Sequence, residues 1–460
     1  MKAWRLCAIC AVGVVTLMFA TSASALGVTW MKGYAAPGTP AKYDRVGVLK
    51  VGPRSAKNVL VLEPGTSAGS AYFVPLAKWI TSSLHGWQVW SVERRENLLE
   101  DQSEINLAKQ GKASPQQVFD YYLGYLLNHG ITQHFQPVPD SSVTFAKGWG
   151  LKVAVEDLHD VIAAAHRLGG KVVLGGHSLG GDIITAYATW DFHGQPGADD
   201  LAALVYDDGA SFTAAPSAQQ AMQTLQQFES PQASPWLPFV QGIPPYDSGL
   251  FGTTGGLAAI VAPNQPLANG QETILPPALK TPVPVSNLAE FGYGTSAATS
   301  KLVFAIMTHD GAGFASAPLA NGVYGWNSAG AITPIKRFAQ MLSGYPLQNV
   351  DGTEWYFPQR LTDDSAAVDN GNANPAQSVF GITATMGHRL PKSLRMYAFG
   401  AYGGQAILDA TIKLARQSHI PKRNLMLVNR HSTYAHNDPA GAYPHNVFFQ
   451  QLVKFLGRIA

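Results

Sequence analysis

The residues best suited to chemistry lie in one short stretch, Gly176-His177-Ser178-Leu179-Gly180. A serine hydroxyl is a weak nucleophile until a neighbouring base takes its proton and a third group orients that base. The setting distinguishes this serine from one in a polar loop: Val172-Val173-Leu174 ahead of it reads as a buried strand, and Gly180-Gly181 behind it opens a helix. So sharp a turn needs backbone angles that glycine tolerates, and close strand-to-helix packing that a Cβ would block. The hydroxyl is thereby lifted off the sheet edge. The N–H of Leu179, at the positive end of the new helix, is aimed at any oxyanion formed there.

Holding such a group requires a rigid scaffold, and the surrounding sequence supplies an alternating one. Asn58 to Leu62 (NVLVL) is a near-continuous apolar run that reads as a buried strand, followed by the turn-rich Pro64 to Gly69. Apolar residues at helical spacing follow over 73–84, and Trp87 to Val92 reads as a second strand. The stretch 151–168 puts Val153, Val155, Leu158, Val161, Ile162 and Ala165 on one helical stripe, closed by Gly169-Gly170. Strand 171–174, helix 179–190 and strand 201–206 come next. The pattern resumes late in the chain with strand 394–399, helix 405–417, strand 424–428 and a closing helix over 447–459. Alternation of this kind predicts an α/β fold, a doubly wound and mostly parallel sheet with helices on both faces.

With GGHSLGG as its turn, the chain resembles the α/β-hydrolase fold superfamily over residues 58–210 and 394–460. The resemblance implies a sheet of the eight-stranded type, a Ser-acid-His triad and hydrolysis of an ester, amide or related bond. It also implies a second oxyanion donor in the loop after the early strand, which here is Glu63-Pro64-Gly65-Thr66. Pro64 stands where the superfamily usually has histidine, and the Thr66 N–H is the candidate donor. The base must follow the last strand. His431, His436 and His445 all do, and His436, mid-loop in Tyr434-Ala435-His436-Asn437-Asp438-Pro439, is the expected one. The acid departs from the usual pattern, because strand 394–399 runs into Gly400-Ala401-Tyr402-Gly403-Gly404 without a carboxylate. The preceding strand ends Tyr206-Asp207-Asp208-Gly209. Asp208 at its tip is the expected acid, with Asp207 as the alternative and Asp310 and Asp438 as outsiders.

Between these two regions the character changes. From Thr213 to about Lys392 the chain is rich in Pro, Gly, Ala and Gln. That is too long for a plain loop in a compact domain. The expected organisation is a signal peptide over 1–25, a hydrolase core over 26–211, an inserted cap or lid over 212–392, and the rest of the core over 393–460. Lys2 and Arg5, the apolar run from Leu6 to Phe19 and the small residues Ala23-Ser24-Ala25 carry the targeting reading, and with it a secreted or periplasmic product. Both cysteines, Cys7 and Cys10, fall inside that segment, so the mature chain is expected to have no disulfide and no thiol ligand.

A formal net charge of +2, with no long run of one sign, gives no electrostatic footprint for nucleic acid or an anionic membrane. A small-molecule ester or amide is the expected partner, with no cofactor, no metal and no stable membrane insertion after signal cleavage. His159 and His166 share a helix without a matching carboxylate, which argues against a metal there. Glu93-Arg94-Arg95-Glu96 reads as an ion-paired structural loop, and Trp355-Tyr356-Phe357 as either pocket lining or lid core. The favoured activity is carboxylic ester hydrolysis. Amide or peptide cleavage, and a catalytically silent binding protein of the same fold, stand as the alternatives.

Overall fold

The computed structural model describes residues 26–239, 244, 246–301 and 307–459. The expected signal segment, with its two cysteines, lies outside them. At the centre is an eight-stranded sheet built from β1 (Val28–Lys32), β2 (Arg45–Val51), β3 (Asn58–Glu63), β4 (Trp87–Glu93), β5 (Val172–His177), β6 (Ala203–Asp207), β7 (Arg395–Gly400) and β8 (Leu425–Asn429). Their spatial order is β1-β2-β4-β3-β5-β6-β7-β8. β1 pairs antiparallel with β2 and β2 with β4, and every later pair is parallel. The expected doubly wound, mostly parallel sheet is present. Its first two strands had no counterpart in the sequence reading.

The period-two rule divides the core between the two faces. Val59, Val61, Leu174, Leu204, Tyr206, Met396 and Ala398 point to one side. There they pack on α4 (Leu151–His166) and α5 (Leu179–Thr189), which supply Leu158, Ile162, Ile183 and Tyr187. Leu60, Leu62, Val173, Val205, Tyr397 and Phe399 point to the other side, against α1 (Val74–Ser83) and the C-terminal helix Val447–Leu456. Both faces are covered, which is why these strands are apolar throughout rather than alternating with polar residues.

Two excursions leave this framework at the carboxyl ends of the strands. One follows β4 over 94–150 and carries helices α2 (Ser103–Lys109) and α3 (Pro115–Tyr122), a feature the sequence reading did not include. The other follows β6 and contains helices Asp247–Val261, Asn287–Thr295 and Ile335–Ser343 together with a hairpin of strands Gly313–Pro318 and Tyr324–Asn327. The excursions share one apolar cluster, in which Phe119, Tyr122, Phe135 and Trp149 meet Trp236, Leu250, Leu257, Trp355 and Tyr356. The later part of the 212–392 stretch enters the central core itself: Phe338 and Met341 join one face, and Phe357, Leu361, Val368 and Phe380 the other. Trp355, Tyr356 and Phe357 are therefore core residues. Among the described residues, no helix is long and apolar enough to cross a membrane.

Arg95 fastens the first strands to the rest. It is 1% exposed and donates through Nε and Nη2 to Asp157 of α4 at 2.9 and 2.6 Å, through Nη1 to Asp44 at 3.0 Å and through Nη2 to Tyr34 O at 2.9 Å. Removing one partner of a buried pair leaves an uncompensated charge in a low dielectric. Asp157→Ala is accordingly expected to lower unfolding free energy by about 3–5 kcal/mol in chemical denaturation, and a loss under about 1 kcal/mol would show that water compensates Arg95.

Candidate active site

Strand β5 ends at His177, and Ser178 turns the chain with φ 55° and ψ −126° before α5 begins at Leu179. A non-glycine residue held at such angles costs of order 1–3 kcal/mol and persists only where the surroundings over-determine it. Here they do. A Cβ at Gly180 would run into the carbonyl of Glu63, and one at Gly65 would lie 2.8 Å from Ser178 Cβ, so neither neighbour has room for a side chain. The Ser178 N–H donates to Asp207 O at 3.2 Å, tying the turn to the tip of β6. The Ser178 hydroxyl makes no hydrogen bond among the described residues, and the Ser178–His436 bond expected of a triad is not among those formed.

Asp208, just beyond β6, adopts φ 47° and is buried. Its Oδ2 lies 2.6 Å from His436 Nδ1, while its Oδ1 accepts from the backbone N–H groups of Ala401 at 2.7 Å and Gly403 at 2.9 Å. The loop after β7, which lacks a carboxylate, instead furnishes the amides that fix one. Asp207, still within the strand, points with Val205 to the opposite face from Tyr206. Neither of its carboxylate oxygens has a hydrogen-bond partner among the described residues, and burial, followed by the nearby Asp208 charge, pushes its pKa well up. Burial thus favours its neutral form, and of the two aspartates it is Asp208 that meets the histidine.

His436 rests on groups that the sequence reading missed. The ring of His177 lies 4.5 Å from that of His436, centroid to centroid, and His177 Nε2 is 3.1 Å from the His436 carbonyl oxygen. That partner accepts, which assigns the proton to Nε2. Burial, and then the neighbouring His436, hold the His177 pKa well below the usual imidazole value, so His177 stays neutral. Tyr72 packs on His177 and donates to Asn437 Oδ1 at 2.8 Å, bracing the same loop. The other candidate bases are elsewhere: His431 Nδ1 lies 2.9 Å from Tyr402 O, where it stiffens the Gly400–Gly404 loop, and His445 is exposed.

Two further buried networks frame the site. Arg94, 6% exposed, donates through Nη1 to Glu63 Oε1 at 2.8 Å and Pro64 O at 3.0 Å, and through Nη2 to Gly65 O at 2.8 Å, Ala68 O at 3.1 Å and Glu354 Oε2 at 2.6 Å. Its guanidinium thus takes up the carbonyls of the loop that carries Thr66. The N–H groups of Thr66 and Leu179 make no hydrogen bond among the described residues. The ion-paired reading of the 93–96 stretch holds, but Arg94 is more than ballast. In the second network Asp438 belongs to His309: Oδ2 lies 2.6 Å from His309 Nδ1, and Oδ1 accepts from the His309 N–H at 3.0 Å and Thr333 Oγ1 at 2.7 Å. Asp310 accepts from Thr295 Oγ1 at 2.6 Å. Both outsider aspartates have other partners.

His159 packs on Phe192 with ring centroids 4.4 Å apart, and His166 Nε2 lies 2.6 Å from Asp200 O. No group of three or more His, Cys, Asp or Glu among the described residues is arranged to hold a metal ion.

No protein-family model matches this chain, and no curated protein does. Solved structures do. A protein of Sulfolobus solfataricus, provisionally named a lipase, is 15% identical with a TM-score of 0.47, over 96% of this chain and 98% of that one. A thioesterase domain from the curacin biosynthetic pathway is 10% identical with a TM-score of 0.42, over 95% and 100% of the two chains. A thermostable carboxyl esterase of Bacillus coagulans is 12% identical with a TM-score of 0.40, over 95% and 99%. The class follows from this chain's own sheet order and strand–serine–helix turn, which are those of the α/β-hydrolase fold.

The His309–Asp438 pair has a measurable pH signature. The hydrogen bond to Asp438, opposed by partial burial, raises the His309 pKa above its ordinary 6.5. A pKa raised by folding contributes stability that is fully present below 6.5 and is lost as pH climbs through the higher folded value. The difference in unfolding free energy between wild type and His309→Gln is therefore expected to be largest in mild acid and to shrink above neutrality. A difference that grows with pH would show that the ring is neutral in the fold.

Proposed function

We propose that this chain is an exported serine hydrolase that cleaves carboxylic esters through Ser178, His436 and Asp208. The observation that carries the reading is the 2.6 Å contact between Asp208 Oδ2 and His436 Nδ1, beside a serine held in a strained strand-to-helix turn. With Nδ1–H pinned to a fixed carboxylate, the free Nε2 presents a lone pair. In the proposed reaction Nε2 takes the Ser178 proton as Oγ adds to the ester carbonyl, and the resulting oxyanion accepts from the N–H groups of Thr66 and Leu179. Collapse of that intermediate breaks the bond to the alcohol, which leaves with the proton from His436. Water, deprotonated by the same ring, then releases the acid. Export rests on the basic, apolar and small-residue pattern of residues 1–25.

The reading predicts covalent labelling of Ser178 by a fluorophosphonate and turnover of p-nitrophenyl butyrate. Ser178→Ala is expected to abolish both with the thermal midpoint nearly unchanged, and His436→Ala to slow acylation by several orders of magnitude. Labelling at a different serine would sink the proposal. Absence of any labelling would favour the silent binding protein, and turnover of anilides but not esters the amidase.

The two adjacent aspartates provide the sharper comparison. Asp208→Asn is expected to lower kcat by roughly 10³–10⁴-fold, because an amide stabilises the wrong imidazole tautomer. Asp207→Asn replaces a carboxyl group that burial already drives toward its neutral form and that has no hydrogen-bond partner among the described residues, and its kcat should stay within about tenfold of wild type. A large loss in Asp207→Asn with Asp208→Asn near wild type would mean that Asp207, not the Asp208 contact, governs the histidine.

A further inference from the structure

Where the two excursions meet they line a cavity open to solvent, with about 1310 Å³ of free space when the adjoining open solvent is included. Val118 and Phe119 line it from helix Pro115–Tyr122, Phe251 and Leu257 from helix Asp247–Val261, and Leu275 and Phe291 from the chain that follows. One carboxylate interrupts this apolar wall. Glu290 is 9% exposed, its Oε2 is shut off from solvent, and its carboxyl group makes no hydrogen bond among the described residues. Burial, reinforced by the Glu272 charge, raises its pKa to about 8, so at neutral pH it stands mostly as a carboxylic acid able to donate one hydrogen bond. A buried polar group without a partner is a cost that a ligand oxygen would remove.

The walls of the cavity are hydrogen-bonded on two sides to segments that support the loops of the candidate active site. Thr253, on the helix that forms one wall, has its Oγ1 2.7 Å from Asp351 Oδ2 and 2.6 Å from Thr353 Oγ1. Residues 351–353 support the loop that carries Thr66, since the Ala71 N–H donates to Asp351 O at 3.1 Å. On the other side Thr295, also a lining residue, is bonded to Asp310, whose neighbour His309 holds Asp438 in the His436 loop.

We infer that this cavity receives the long aliphatic chain of a neutral lipid ester, with Glu290 turned to a neutral oxygen of the ligand rather than to a charged end. The inference rests on the ester-hydrolase reading for the link to Ser178, but the cavity's affinity for an aliphatic chain is testable without turnover. Burying each additional methylene is worth up to about fourfold in affinity. Gly255 offers a way to fill the space, because a Cβ there meets only Phe291 Cδ2, at 3.7 Å.

Two measurements test this on the full chain. In the first, kcat/KM of wild type is compared across p-nitrophenyl butyrate, octanoate and dodecanoate, then repeated with Gly255→Phe and the milder Gly255→Leu. The expected result is a rise of at least about 100-fold from butyrate to dodecanoate, with that ratio collapsing in the filled variants. In the second, the neutral fluorophore N-phenyl-1-naphthylamine is titrated into Ser178→Ala. Binding is expected, with displacement by decan-1-ol at least about tenfold stronger than by decanoate at pH 7, since the apolar lining offers no cation to offset desolvation of the carboxylate. A flat or falling chain-length profile in wild type, or a probe that does not bind, overturns the inference while butyrate hydrolysis stands. Probe binding that Gly255→Phe abolishes, in a protein that turns over no ester, supports the aliphatic site and removes the ester-hydrolase reading instead.

Discussion

Arg94 is the point on which the arrangement hangs. Its guanidinium is sealed between the end of β3, the segment that follows β4 and Glu354 from the far excursion, 260 residues away. A buried cation must be neutralised and have its five donors occupied. The carboxylates of Glu63 and Glu354 meet the first requirement, and the carbonyls of Pro64, Gly65 and Ala68 help meet the second. Those carbonyls belong to the loop lying against Ser178. Satisfying one buried charge therefore fixes the loop's carbonyls, while the Thr66 N–H makes no hydrogen bond among the described residues. Ser67 completes the lock, exchanging hydrogen bonds with the backbone of Glu354 at 2.7 and 3.0 Å.

The same economy of donors explains where the acid sits. An ionised carboxylate buried beside apolar strands is stable only when its oxygens are hydrogen-bonded. Asp208 has the Ala401 and Gly403 amides on one oxygen and His436 on the other, whereas Asp207 has no partner among the described residues and burial drives it toward its neutral form. Side chains of that small-residue loop would crowd the approach: a Cβ at Gly403 would come within 3.2 Å of Asp208 Oδ1. A loop without its own carboxylate thus becomes the cradle for one from the neighbouring strand.

The 212–392 stretch is bound into the rest of the fold instead of lying over it. It sends Glu354 to Arg94, His309 to Asp438 and aromatic side chains into both faces of the core. Rearrangement of these helices would therefore strain both loops that flank Ser178. With the excursion after β4 they share one cluster, so neither buries its apolar surface alone.

The sequence by itself determined the features whose physics is local. The strand-to-helix turn at Ser178, the apolar runs of β3 to β8 and the helical stripe of 151–166 follow from period and turn chemistry, whereas His436 and Asp208 were expected only through the resemblance, with Asp207 left open beside Asp208. β2 was not legible because Gly47 and Lys50 interrupt its apolar run, and the short β1 exposes much of its edge. What the tertiary structure alone decided was pairing over distance. Arg94 with Glu354, His309 with Asp438 and the amides of Ala401 and Gly403 with Asp208 are separated by 260, 129, 193 and 195 residues. A charge or an amide in sequence states only that it needs a partner; which partner it finds depends on the chain's path, and desolvation on folding is what makes the choice binding.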